Sequence, residues 1–126
     1  GRPDPRATLR TSLRRVGVDH RTYVVSLNHE PRFEDAMLHA LAGHNVAYIG
    51  AIGKRVRHLE RVERAAAAGL DLAQFPPIHT PIGLDIGGKS PEEIALSIIA
   101  EIVAVKNRRP GGMLATPLET EALHRA

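Results

Sequence analysis

The stretch Tyr48-Ile49-Gly50-Ala51-Ile52-Gly53-Lys54-Arg55-Val56-Arg57-His58 carries the strongest structural signal in this chain. An apolar segment runs into two glycines three positions apart, and a basic segment with helical character follows. Glycine allows backbone N–H groups to approach a ligand without an intervening Cβ atom, and the N-terminus of a helix attracts anions. The stretch predicts a strand, a turn and a helix start. The glycines either hold a phosphate or another anion, or serve the turn alone.

Strands and helices alternate on both sides of this turn. The apolar periodicity and the Gly and Pro positions predict strands over 23–27 and 45–49 and helices over 32–41, 54–68 and 91–106, with 81–88 as a third strand or an extended loop. A first helix is expected from Asp4-Pro5 to Gly17, and a short terminal helix from Pro117 to His124. In the 54–68 helix, Arg55, Arg61 and Arg64 are expected mostly to face water.

The helix that starts at Ser90-Pro91-Glu92-Glu93 has the clearest beginning of all. Serine caps the helix, proline takes the first helical position, and the second glutamate can complete a capping box. From Ile94 to Val103 this helix is apolar on most sides. A helix with so wide an apolar arc is either buried or lies against a partner.

Alternating strands and helices indicate an α/β fold with a parallel sheet. Only two or three strands are predicted, so the sheet is short and leaves an unpaired edge. We therefore expect half of a doubly wound fold. Either the chain is a fragment, or a second copy completes the sheet as a homo-oligomer.

The amino-acid composition limits the classes of function that this chain can have. The chain has 126 residues, a formal charge of +3, no Cys, no Trp, two Tyr and two Phe. Few aromatic side chains argue against nucleic-acid binding, and no apolar run approaches the length of about 20 residues that a membrane span needs. The absence of cysteine fits a reducing cytoplasm. The seven histidines are scattered without metal-binding spacing, and no nucleophile motif is present, so binding is favoured over catalysis.

Several segments together resemble the C-terminal domain of the XdhC/CoxI family, the xanthine dehydrogenase accessory proteins. They are residues 22–31 (TYVVSLNHEP), 48–55 (YIGAIGKR), 79–87 (HTPIGLDIG) and the helix over 90–104. The resemblance covers roughly residues 5 to 107 and implies a Rossmann-like three-layer domain with a short parallel sheet, apparently without the first half of that fold. Residues 1–107 would form this partial domain and residues 108–126 a C-terminal tail.

The resemblance also implies a function. Proteins of this family are cytoplasmic, bind molybdenum cofactor and help to deliver it to xanthine dehydrogenase or a related molybdenum hydroxylase, with a cysteine desulfurase as a further partner. This sequence departs from the family pattern in lacking an upstream Gly-x-Gly strand and a cysteine-bearing segment. Asn28 stands where the family often has Thr, and Glu30 where it often has Asp.

Three loops are expected at the carboxyl ends of the strands, where parallel sheets bind ligands. The candidate cofactor-binding residues on them are Asn28, His29, Gly50, Gly53, Lys54, Arg55, Gly83 and Asp85. The glycines and the two cations would hold phosphate. The edge of a pterin would form hydrogen bonds with Asn28, His29 and Asp85. Asp85 could instead accept a hydrogen bond from a ribose hydroxyl. The only candidates for proton transfer are His29 and Asp85.

Two other functions stay open on sequence alone. One is an NAD(P)- or nucleotide-binding half of an oxidoreductase, although the Gly-x-Gly-x-x-Gly fingerprint is absent. The other is an assembly module without a ligand, with the apolar helix over 91–106 as its interface.

Overall fold

The chain folds around a three-stranded parallel sheet. A computed structural model describes Arg15 and residues 17–115. The strands are β1 (Tyr23–Ser26), β2 (Tyr48–Ala51) and β3 (Ile78–His79), and they lie in the sheet in the order β1-β2-β3. The helices are α1 (Pro31–Leu41), α2 (Val56–Ala67) and α3 (Pro91–Lys106). A 3₁₀ turn at Leu72–Gln74 follows α2. The terminal helix expected over 117–124 and nearly all of the first expected helix lie outside the described residues.

One face of the sheet is covered by α1 and forms the apolar core. Ile49, in the central strand, is fully buried and packs with Leu41 and Val46, with Met37 and Phe75 around them. Burying a side chain of this size stabilises the fold by about 1.5–3 kcal/mol. This cluster holds α1 against the sheet.

The other face of the sheet is covered by α3. Successive strand residues point to opposite faces, so Tyr48 lies on the side away from Ile49. Its hydroxyl donates a hydrogen bond to Oε1 of Glu101 in α3, at 2.6 Å. The ring of His79 lies against Tyr48, with the ring centroids 4.8 Å apart, and its Nδ1 is 3.3 Å from the same carboxylate oxygen. Helix, sheet and helix thus form the three layers expected of a partial Rossmann-like α/β domain.

One strand predicted from the sequence is wrong at its boundaries, and of the two alternatives left open for 81–88 the extended loop is confirmed. The central strand runs from Tyr48 to Ala51 rather than over 45–49, so Gly50 lies in the strand and not in the turn. The third strand is Ile78–His79, and the segment over 81–88 is an extended loop. Proline has no N–H to give to a strand ladder, and prolines at 76, 77 and 81 confine β3 to two residues.

None of the described helices combines the length and apolarity that crossing a membrane would require.

Candidate functional site

A cleft lies at the carboxyl ends of β1 and β2, beside α1 and α2. Its lining is Asn28, His29, Pro31, Glu34, Ile52, Gly53, Arg57, Glu60, Arg61 and Arg64. The cavity volume is about 30 Å³, enough for one or two water molecules. Parallel sheets bind ligands at this edge, and the cleft is therefore the candidate site.

Three of the sequence-predicted residues meet in this cleft. They are Asn28, His29 and Gly53. Lys54 and Arg55 are exposed just before the start of α2, next to the cleft but not in its lining.

Gly83 and Asp85 lie in a loop that is fastened to α3. The N–H of Leu84, between them, donates to the carbonyl of Ser97 at 3.1 Å, and a Cβ atom on Gly83 would overlap the Ser97 side chain. Neither residue is in the lining of the cleft. The segment that leads into the loop does reach the same end of the sheet, since the N–H of Ile82 donates to the carbonyl of Ala51 at 3.1 Å and the Thr80 hydroxyl donates to the carbonyl of Gly53 at 3.4 Å.

Gly50 has a structural explanation of its own. A Cβ atom added to it would overlap the side chain of Ile82 and the hydroxyl of Tyr48. The residue is buried in β2, behind the turn that it was expected to form. Close packing therefore accounts for glycine at this position.

Gly53 makes the turn that opens the cleft toward α2. Its φ of +115° is a backbone conformation that favours glycine. Helix α2 then begins without any side chain that caps its first N–H groups. The N–H groups of Arg57 and His58 bond to the carbonyls of Lys54 and Arg55, both at 3.0 Å. Two of the first N–H groups of α2 are therefore already bonded to the backbone, and the partial positive charge of the helix start is what would attract an anion here.

A buried ion pair forms the inner wall of the cleft. Arg61, 3% exposed, pairs through its guanidinium with Glu34, which is 7% exposed; Arg61 Nη2 is 3.1 Å from Glu34 Oε2. Arg64 adds a bond of 3.2 Å to Asp35. The expectation that Arg61 faces water is therefore wrong, because a carboxylate on α1 draws it inward. These ion pairs join α1 to α2, and the carboxylates neutralise the charge of both arginines.

Arg57 lines the cleft although it was not among the residues predicted to bind the cofactor. It is exposed and lines the cleft one helical turn before Arg61. Among residues 17–115, no carboxylate lies within 4.0 Å of its guanidinium, nor of the charged groups of Lys54 and Arg55. Its position four residues after Gly53, in the first turn of α2, is the sequence signal for this placement. Within the described part of the chain, the outer wall of the cleft thus has a cation that forms no ion pair with a carboxylate.

Asn28 shapes the loop that closes the other side of the cleft. Its side-chain oxygen accepts a hydrogen bond from the N–H of Glu30 at 2.8 Å, the pattern of an Asx turn. The side-chain amide N–H groups remain as donors toward a ligand.

His58 gives the site a pH dependence. Its Nδ1 lies 3.0 Å from Nη1 of Arg61, and burial, followed by the charge of Arg61, lowers the pKa of His58, while Glu34 opposes the shift. A histidine whose pKa is depressed in the folded state stabilises the fold above its unfolded pKa of about 6.5, and that contribution is lost as the pH falls.

We expect the free energy of unfolding to fall between pH 7.5 and pH 5.5, and to fall less in a His58→Gln variant. Urea titrations of both proteins at the two pH values measure this. The variant removes only one of seven histidines, so the difference between the two slopes isolates His58. Equal slopes would contradict the assignment.

A comparison with models of known protein families identifies the family of this chain. The family model described as the XdhC Rossmann domain matches residues 3–102. The chain belongs to the XdhC Rossmann-domain family. The resemblance carried by residues 22–31, 48–55 and 79–87 is thereby confirmed.

Curated relatives of this XdhC domain are much longer proteins. The chain is 33% identical over 72 residues to the uncharacterized protein YqeB of Escherichia coli K12, covering 57% of the chain and 13% of YqeB. It is 33% identical over 91 residues to a probable xanthine dehydrogenase subunit of Bacillus subtilis 168, covering 71% of the chain and 24% of the relative. It is 27% identical over 89 residues to the molybdenum cofactor insertion chaperone PaoD of Escherichia coli K12, covering 71% of the chain and 28% of PaoD.

A solved structure shares the fold. The crystal structure described as a xanthine dehydrogenase from Bacillus halodurans superposes with a TM-score of 0.61 at 23% identity, covering 89% of this chain and 31% of that one. The similarity supports the partial Rossmann-like architecture. This XdhC domain thus corresponds to less than a third of each of these longer proteins.

Proposed function

We propose that this XdhC domain binds the phosphate end of molybdenum cofactor and takes part in inserting the cofactor into a molybdenum hydroxylase such as xanthine dehydrogenase. The observation that carries the proposal is the start of α2 beside the cleft, where Gly53 makes the turn and Arg57 pairs with no carboxylate among residues 17–115. Similarity to a protein named a molybdenum cofactor insertion chaperone supports the choice of ligand.

The residues of the cleft fit one part of this cofactor. Molybdenum cofactor is a pterin that carries a dithiolene and a phosphate, and the phosphate matches a helix start next to a guanidinium. Lys54 and Arg55 would add charge from outside the cleft. A cavity of about 30 Å³ is smaller than a pterin ring, so the ring would extend beyond it.

Residues on the rim of the cleft would orient the pterin. The amide of Asn28 and the ring of His29 lie where strand β1 ends, and both are exposed. Asp85 and Gly83 lie outside the lining of the cleft, and a role for them would require the ligand to extend beyond it. When bound, the cofactor supplies molybdenum coordination through its dithiolene. The chain itself would bind, orient and release the cofactor. It would deliver the cofactor to the hydroxylase, with a cysteine desulfurase as a second partner. Neither step requires catalysis by these side chains.

A binding titration tests the proposal. We expect Arg57→Ala to weaken the affinity for molybdenum cofactor about tenfold, the loss of one charge-assisted contact, and Lys54→Ala/Arg55→Ala to weaken it further in low salt. Ligand fluorescence reports the affinity, and inorganic phosphate is expected to compete.

Arg21→Ala is the matched control for these variants. It also removes one exposed arginine, but at the opposite end of the sheet, where Arg21 pairs with Asp19 at 2.9 Å. The control is expected to bind like the unchanged protein. Equal affinity in Arg57→Ala, or an equal loss in Arg21→Ala, would overturn the phosphate site. A parallel titration with NAD tests the nucleotide alternative, and tight NAD binding would replace the cofactor in the proposal.

A further inference from the structure

Helix α3 has an apolar face on the side away from the sheet. The side that meets the sheet holds Ser97 and Ile98, both 8% exposed, and Glu101. On the opposite side, Leu96 and Ile99 are each 60% exposed and Val103 is 49% exposed. Three large apolar side chains on one exposed helix face indicate a contact surface.

These side chains belong to a regular seam. Glu92, Leu96, Ile99, Val103 and Lys106 follow one another at steps of four, three, four and three residues. That is the spacing of the core positions of a coiled coil, in which two helices pack along a narrow stripe. The seam spans almost the whole of α3, so a second helix of equal length would match it from end to end.

The charges at the two ends of the seam define the orientation of that second helix. Glu92 lies at the amino end and Lys106 at the carboxyl end, with only apolar residues between them on the seam. If α3 pairs with α3 of a second copy in antiparallel orientation about Ile99, Glu92 faces Lys106 of the second copy at both ends. Position 96 is then level with position 102 of the second copy, and Leu96 packs beside Val103 of the second copy on the seam. Parallel pairing would instead place like charges together.

We propose that α3 pairs in antiparallel orientation with α3 of a second copy of this chain. The contact is two-fold symmetric, with Ile99 on the axis and an ion pair at each end. It leaves the cleft beside α1 and α2 free, since α3 covers the opposite face of the sheet. The pairing is independent of the proposed ligand and does not rely on it.

A charge exchange tests the pairing on the full chain. Glu92→Lys alone brings two lysines together at both ends of the seam, and Lys106→Glu alone brings two glutamates together. We expect each variant to weaken the dimer about tenfold or more in low salt. An equimolar mixture of the two variants restores opposite charges at both ends, so it is expected to form heterodimers as tightly as the unchanged protein. Sedimentation equilibrium gives the dissociation constants, and native mass spectrometry distinguishes heterodimers from homodimers.

A second pair of variants tests the apolar part of the seam. Ile99→Glu places two carboxylates on the symmetry axis and is expected to give a monomer, whereas Leu59→Glu, at a similarly exposed position on α2 (68% exposed), is expected to leave the dimer intact. Circular dichroism confirms that each variant is folded. A monomeric unchanged protein would overturn the proposal and assign the face to another partner. Failure of the mixture to recover the dimer, or dissociation by Leu59→Glu, would overturn the antiparallel seam.

Discussion

Replacing Arg61 with alanine is expected to destabilise the fold by about 3–5 kcal/mol, because the variant removes both guanidinium hydrogen bonds of the buried Glu34 carboxylate and leaves it only the longer contact with Arg64 at 3.7 Å. Both side chains are almost completely shielded from water, and no bulk solvent can take over the lost hydrogen bonds. The neighbouring pair of Arg64 with Asp35 is about one-third exposed on each side. Arg64→Ala removes this half-buried pair and the longer contact with Glu34 but keeps both Arg61–Glu34 hydrogen bonds, so it is the milder comparison and is expected to lower stability by about 1 kcal/mol or less.

Urea unfolding of three further variants separates the charge penalty from simple loss of packing. Glu34→Leu also leaves one buried charge and is expected to be strongly destabilising, as is Arg61→Met. The double variant Glu34→Leu/Arg61→Met removes both charges and keeps apolar volume, so it is expected to be more stable than either single variant. A double variant as unstable as the sum of the two single changes would show that the pair does not act as a unit.

Local sequence signals were sufficient for most of the helices. Ser90 and Pro91 mark the start of α3, and the structure confirms both, with the Ser90 hydroxyl accepting a hydrogen bond from the N–H of Glu93 at 3.2 Å. The ends of the strands were harder to predict. An apolar run such as 45–49 does not show which of its residues will pair with the neighbouring strand. In the structure, the pairing of β1 with β2 begins with Tyr23 opposite Tyr48, and this pairing decides where β2 starts.

Long-range contacts explain why the exposure of Arg61 was predicted wrongly. Arg61 reads as a surface residue of a basic helix, and only its pairing with Glu34, 27 positions earlier, makes it buried. Asn28, His29 and Gly53 could be predicted to meet, because the end of a parallel strand fixes where its loop lies. No sequence rule could show that the N–H of Leu84 would bond to the carbonyl of Ser97 in α3, which fixes the loop of Gly83 against that helix.

Gly50→Val is expected to destabilise the fold by about 3 kcal/mol, because the added carbon atoms overlap Ile82 and the Tyr48 hydroxyl in a packed layer. Gly112→Val is the matched control: a Cβ atom at Gly112 meets nothing within 4 Å, and its φ is not in the positive range. Its free energy of unfolding is expected to stay within about 0.5 kcal/mol of the unchanged protein.

The double variant Gly50→Val/Ile82→Ala distinguishes packing from ligand binding at this glycine. Removing the Ile82 side chain makes room for valine, so the two changes together are expected to cost at least about 1 kcal/mol less than the sum of the separate changes. Urea unfolding supplies the four free energies. If Gly50 instead serves a bound phosphate, Gly50→Val lowers the affinity for cofactor while the free energy of unfolding stays unchanged. A packing role predicts the reverse, since Gly50 lies behind the turn, within β2, and Gly53 alone of the two glycines lines the cleft.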